Sequence, residues 1–113
     1  MRSGRLKLET DTFYCWPECY FTAPPHLMQR FRAADLVIAK GDLNYRRLVG
    51  DVEWDPTVPF EDVCEYFPAP LVALRTLKSE VAVGLSPGLL SRLKETASDW
   101  MVSGSYGVIQ TRL

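Results

Sequence analysis

The feature that most constrains this chain is a short apolar run that stops at a glycine. Asp35-Leu36-Val37-Ile38-Ala39 has the character of a strand buried in a parallel sheet, and Lys40-Gly41-Asp42-Leu43 breaks it. Asn44-Tyr45-Arg46-Arg47-Leu48-Val49 then reads as one or two helical turns closed by Gly50. Upstream, Thr22 is a candidate cap and Pro24 and Pro25 suit a first turn. Leu27, Met28 and Phe31 share one face of that helix, which ends near Ala34. Helix, buried strand, glycine loop, helix is the rhythm of an α/β sheet.

The remaining segments extend this pattern. Arg5 to Glu9 alternates polar and apolar residues, as a half-buried strand does, and the aromatic-rich stretch Phe13 to Phe21 reads as an irregular packed segment. Phe60 to Tyr66 is expected to form a short helix, Leu71 to Leu74 and Glu80 to Val83 strands, and Tyr106 to Thr111 a closing strand. Ser86 is placed to cap a helix with Pro87 at its first position, running to about Ala97.

Composition narrows the class. In 113 residues, 47% hydrophobic content supplies enough apolar material to order one domain, and the length is too short for two. A formal net charge of -1 gives no support for a nucleic-acid partner. No apolar run approaches the ~20 residues that cross a membrane, and no signal-type run follows the basic Met1–Arg5 segment, so a cytoplasmic protein is expected. Cys15, Cys19 and Cys64 are an odd set that reads as free thiols. A zinc site from Cys15, Cys19 and His26 lacks its second pair of ligands. Trp16, Trp54 and Trp100 read as packing residues and His26 as an exposed helix residue.

Two places carry candidate chemistry. Gly41 lets the backbone turn sharply and approach a ligand, and the helix that follows presents unpaired N–H groups to an anion such as phosphate. Asp42 stands at the same point, able to orient a hydroxyl; the alternative is an ordinary strand-to-helix turn with Asp42 as its cap. In Arg75-Thr76-Leu77-Lys78, Arg75 offers a planar fork for a phosphate or carboxylate and Lys78 a mobile charge. The alternative there is a solvated turn between two strands. Of Arg46 and Arg47, one is open to a role in a cationic pocket and the other to plain solvation.

Leu36-Val37-Ile38-Ala39-Lys40-Gly41-Asp42-Leu43-Asn44-Tyr45-Arg46-Arg47-Leu48 resembles the KGDLNYR signature of the damage-control phosphatases, and Asp51 and Trp54 continue it as GDxxW. Arg75-Thr76-Leu77-Lys78 is similar to the RTxK signature of the sugar-phosphate subfamily (subfamily III), some members of which also carry the name acidic-residue methyltransferase. Val81 to Leu85 and Tyr106 to Gln110 are similar to the family's final segments.

The resemblance implies a Rossmann-like portion of a three-layer sandwich, with a short, mostly parallel sheet and flanking helices. It implies hydrolysis of sugar phosphates such as fructose phosphates, with a divalent metal, commonly manganese, cobalt or nickel. By position, Gly41, Asp42, Leu43, Asn44 and Tyr45 would contact the substrate, Lys78 would hold its phosphate, and Arg75 would support that pocket. Family members are several times longer, with a helical N-terminal domain and an upstream Asp-Asn pair and further Asp that bind the metal. The chain is therefore expected to be a single C-terminal portion that holds the substrate loops and does not bind the metal alone. The missing part would come from another polypeptide, or the chain would be a truncated product. Alternatives are a non-catalytic phosphate-ester-binding module or a degenerate fragment. Methyl transfer ranks well below phosphatase activity, because no glycine-rich loop for S-adenosylmethionine is present.

Overall fold

A computed structural model describes residues 6–113. The elements run, in order, α1 (Pro25–Arg32), β1 (Val37–Lys40), α2 (Asp42–Val49), α3 (Phe60–Val63), β2 (Leu71–Thr76), α4 (Pro87–Thr96) and β3 (Gly107–Arg112). Two short 3-10 turns, Thr12–Cys15 and Tyr20–Thr22, lie ahead of α1. The α/β expectation holds. The sheet is mixed, in the order β1-β2-β3, with β1 parallel to β2 and β3 antiparallel to it. Direction is not encoded in hydrophobic periodicity, and the return from α4 to β3 reverses the chain.

β2 is the centre of the sheet. Leu71, Ala73 and Arg75 point into the molecule, and Val72 and Leu74 point to the other face. The inner face packs against Leu48 and Val49 of α2, Leu27 of α1, and Phe60, Cys64 and Phe67 around α3. A ladder of tilted and edge-on rings through Phe13, Tyr20, Phe31 and Phe67 extends this core under α1. A smaller cluster of Leu77, Ala82, Leu85, Leu90 and Trp100 seats α4. Burial pushes the Cys64 thiol up to about 12, so it stays a neutral packing group.

Several elements depart from the sequence reading. Arg5 lies outside the described residues, and Leu6 to Glu9 carries no strand pairing. The cap of α1 is Pro24; Thr22 instead donates its hydroxyl to the Cys19 carbonyl within a 3-10 turn. β1 pairs in parallel as expected but is an edge, with Ile38 60% exposed, because no strand lies on its other side among the described residues. Glu80 to Val83 is not a strand. Its backbone is paired by side chains, with Val81 O accepting from Arg75, Val83 N donating to the Tyr45 hydroxyl and Val83 O accepting from Gln110 Nε2. Ser86 does cap α4, accepting from Leu89 N at 3.2 Å. Trp100 is buried and Trp54 half-buried, whereas Trp16 is exposed. No helix among the described residues is long and apolar enough to cross a membrane.

Candidate functional site

The carboxyl ends of the two parallel strands carry both candidate loops. The Gly41 N–H donates to the Leu74 carbonyl at 2.8 Å, which holds the turn after β1 beside the last residues of β2. Gly41 adopts φ 99°, ψ 161°, a conformation nearly closed to other residues. A Cβ added there meets nothing within 4 Å, so the requirement is one of backbone conformation alone. Gly41→Ala is therefore expected to cost about 1–3 kcal/mol, read from urea unfolding. Unchanged stability would show that the turn is not held in this geometry.

The turn delivers Asp42 to the first position of α2, where Arg75 meets it. Arg75 Nε donates to Asp42 Oδ1 at 2.8 Å, and the Ser79 hydroxyl donates to the same oxygen at 3.2 Å. The rest of the guanidinium is also committed. One terminal nitrogen donates to the Val81 carbonyl, and the other to the Ser79 carbonyl at 3.2 Å and hydroxyl at 2.9 Å. Its Cζ lies 4.4 Å from the centre of the Tyr45 ring. The Arg75 side chain is completely buried. The planar fork read from the sequence thus closes on the protein's own loop. Arg75 and Thr76 continue β2, and the turn of the alternative reading begins only after them, at Leu77 and the exposed Lys78.

The other candidate residues take distinct places. Leu43 is exposed at the start of α2. Asn44 donates to the Lys40 carbonyl at 2.8 Å and accepts from the Tyr20 hydroxyl at 2.7 Å, pinning α2 to the end of β1. The Tyr45 side chain turns inward: it is 1% exposed and its hydroxyl donates to Gln110 Oε1 at 2.6 Å. Any contact of Tyr45 with a ligand is therefore not made by this side chain as it stands. Lys78 is exposed and forms no hydrogen bond or ion pair among the described residues. Its neighbour Ser79 is tied to Asp42, so Lys78 stands on the loop that faces the α2 start.

The α2 start gathers helix-end N–H groups with paired charges. α2 has no side-chain cap at Gly41, so the N–H groups of its first turn lack helical partners. Asp42 alone would oppose an incoming anion there. Arg75 sets its charge against one oxygen of that carboxylate, and a terminal nitrogen of Arg46 lies 3.7 Å from the other. Arg46 is engaged with Asp51 through Nε at 3.1 Å and a terminal nitrogen at 2.8 Å, and this bonding holds the Asp51 carboxyl below its usual range. Arg47 is buried, donating to the carbonyls of Tyr14 and Trp16, both at 3.0 Å. Neither arginine faces the loops as a free cation.

A resident metal does not fit these residues. Asp42 is a lone carboxylate, and Oδ1 already accepts two hydrogen bonds. Among the described residues no three of His, Cys, Asp and Glu gather into a cluster able to hold an ion. Cys15 is exposed and His26 Nε2 lies 2.7 Å from Asp11 Oδ2, a pairing fifteen residues back in the chain.

Residues 1–93 match the model of the damage-control phosphatase ARMT1-like domain. The chain belongs to this family. It is 54% identical over 87 residues to the damage-control phosphatase ARMT1 of Xenopus laevis, covering 76% of this chain and 20% of that protein. The same protein of Mus musculus is 41% identical over 113 residues (96% and 26%), and that of Homo sapiens 39% over 114 residues (97% and 26%). The chain thus spans about a fifth to a quarter of the length of the curated relatives it matches. The family is one of phosphatases, which are hydrolases.

Sequence reasoning missed Ser79, which lies one residue past the RTxK signature and has no pattern of its own. It also missed the Tyr45–Gln110 bond, which joins positions 65 apart.

Proposed function

We propose that this chain is the substrate-gripping portion of a metal-dependent phosphatase acting on sugar phosphates such as fructose phosphates. The observation that carries the reading is the meeting of two loops from neighbouring parallel strands. One supplies an uncapped helix start, and the other supplies an exposed lysine. The first-turn amides of α2, around Asp42, Leu43 and Asn44, receive the phosphate oxygens. Lys78 adds a point charge to the same group. Arg75 does not touch the ligand: it fixes the Asp42 carboxylate, whose other oxygen, 3.7 Å from an Arg46 terminal nitrogen, orients a sugar hydroxyl. The position of Tyr45 gives the helix start a rigid base on the core.

The metal of this reading, manganese, cobalt or nickel, takes its ligands from carboxylates outside this chain. Three free cysteines suit a reducing, cytoplasmic setting.

The test is phosphate release from fructose phosphates with each metal. It compares the purified chain with the Xenopus laevis relative carrying this chain in place of its own matched segment. The chain alone is expected to release no phosphate above a metal-only blank, and the completed protein to release it. A folded completed protein that leaves fructose phosphates intact would overturn the substrate assignment.

A further inference from the structure

α2 ends on a cavity, about 12 Å along the helix from the Gly41 turn. The cavity measures about 360 Å³ and is lined by Leu48, Val49, Val63 and the rings of Phe21, Trp54 and Tyr66. Two of those rings have their polar edges committed to the helix end. The Tyr66 hydroxyl donates to the Leu48 carbonyl at 2.6 Å, and Trp54 Nε1 donates to the Val49 carbonyl at 2.8 Å. The Phe21 and Tyr66 rings stand at 90° with centroids 5.8 Å apart, so they form two perpendicular walls. Phe21 is 56% exposed, which leaves its wall open to solvent. Trp54 closes the GDxxW stretch and takes no part in the phosphate loops.

The charge around this cavity favours a cation. α2 brings its carbonyl end there, the negative end of the helix dipole. No Lys, Arg or His occurs from Leu48 to Leu74, a stretch that holds six carboxylates. Asp51 is met by Arg46, and Glu65 shares a groove with Arg32 and Arg112. Glu53 and Asp62 each adjoin a lining residue in the chain, are exposed, and form no ion pair among the described residues. Arg46 and Arg47, in the last turn of α2, do not line the cavity. Aromatic faces carry negative charge of their own, so the three rings act in the same direction as the helix end.

We propose that this cavity binds a small organic ammonium ion with apolar substituents, of the trimethylammonium class. The faces of Phe21, Trp54 and Tyr66 attract the charge, and the methyl groups bury against Leu48, Val49 and Val63. A metal ion is a poor match, since the lining offers rings and methyl groups in place of a set of oxygen ligands. A neutral compound of the same shape gains the burial but not the attraction to the rings and the helix end. The site shares no residue with the phosphate loops and lies at the other end of α2, so it is independent of the substrate reading.

Choline and its neutral tert-butyl isostere, in which carbon replaces the nitrogen, test this by titration of the isotope-labelled chain. The Trp54 indole N–H resonance is expected to shift saturably with choline. The isostere is expected to bind about tenfold more weakly, the effect of losing cation–π contacts to two or three rings. Phe21→Leu keeps an apolar wall at an exposed position, so the melting temperature should not move. It should weaken choline about threefold and leave the isostere unchanged. The absence of a saturable choline shift overturns the proposal, as does equal affinity for the two compounds or a Phe21→Leu chain that loses both alike. The isostere comparison needs no variant, so it decides the matter even where Phe21→Leu fails to fold. The Xenopus laevis relative carrying this chain is expected to bind choline at the same indole. Binding by the isolated chain and not by the completed protein would show the cavity filled by the rest of the domain, and would also overturn the proposal. Phosphate release plays no part in the readout, so a failed hydrolysis bears on the substrate alone.

Discussion

Arg75→Met is expected to destabilise the chain by about 3 kcal/mol, because it removes the buried partner of Asp42 and leaves that carboxylate only Arg46, 3.7 Å away, and the Ser79 hydroxyl. Asp42 keeps 19% of its side chain exposed, so water also meets part of its charge and holds the loss to that lower figure. The loss exceeds that of one bond because the guanidinium also serves the carbonyls of Ser79 and Val81. Without it, the Glu80 to Val83 segment loses the partner that replaces a strand neighbour. Arg75→Lys is expected to recover little, since one ammonium cannot reach a carboxylate, a hydroxyl and two carbonyls in one plane. Urea unfolding measures both variants. An Arg75→Met protein within about 0.5 kcal/mol of the parent, the range of surface substitutions, would show that the arginine is not structural.

Lys78→Ala is expected to behave in the opposite way. Its side chain is exposed and unbonded among the described residues, so the melting temperature should not move. Phosphate release by the completed protein should fall by about 10²–10³-fold, the effect of removing one preorganised donor from a site of developing charge. Lys78→Arg should retain part of the rate, since the charge remains and its geometry changes. Equal release by the parent and Lys78→Ala proteins would remove Lys78 from the site. Together the two variants would separate the roles proposed within one signature, the first residue building the loop and the last one meeting the ligand.

The contrast also marks what was legible in the sequence. The strand, the glycine and the helix after it could be read because each is set locally, by an apolar run, a positive φ and a helical period. The Ser86–Pro87 helix start was legible for the same reason. The fate of Arg75 was not, since its acceptors Asp42 and Val81 lie 33 and 6 residues away. Glu80 to Val83 has the apolar content of a strand, but side chains rather than a neighbouring strand pair its backbone. Asn44 and Tyr45 fall inside the signature, yet one ties β1 to α2 and the other props α2 on β3. The signature marks both the residues that face the site and those that hold it in shape, and only the fold tells them apart.

The most direct test of the central claim is a titration of the isotope-labelled chain with a fructose phosphate, followed by amide and lysine side-chain resonances. The account predicts saturable shifts confined to the amides of Asp42, Leu43 and Asn44 and to Lys78 Nζ, lost in Lys78→Ala. Shifts absent from these groups, or unchanged in Lys78→Ala, would contradict it.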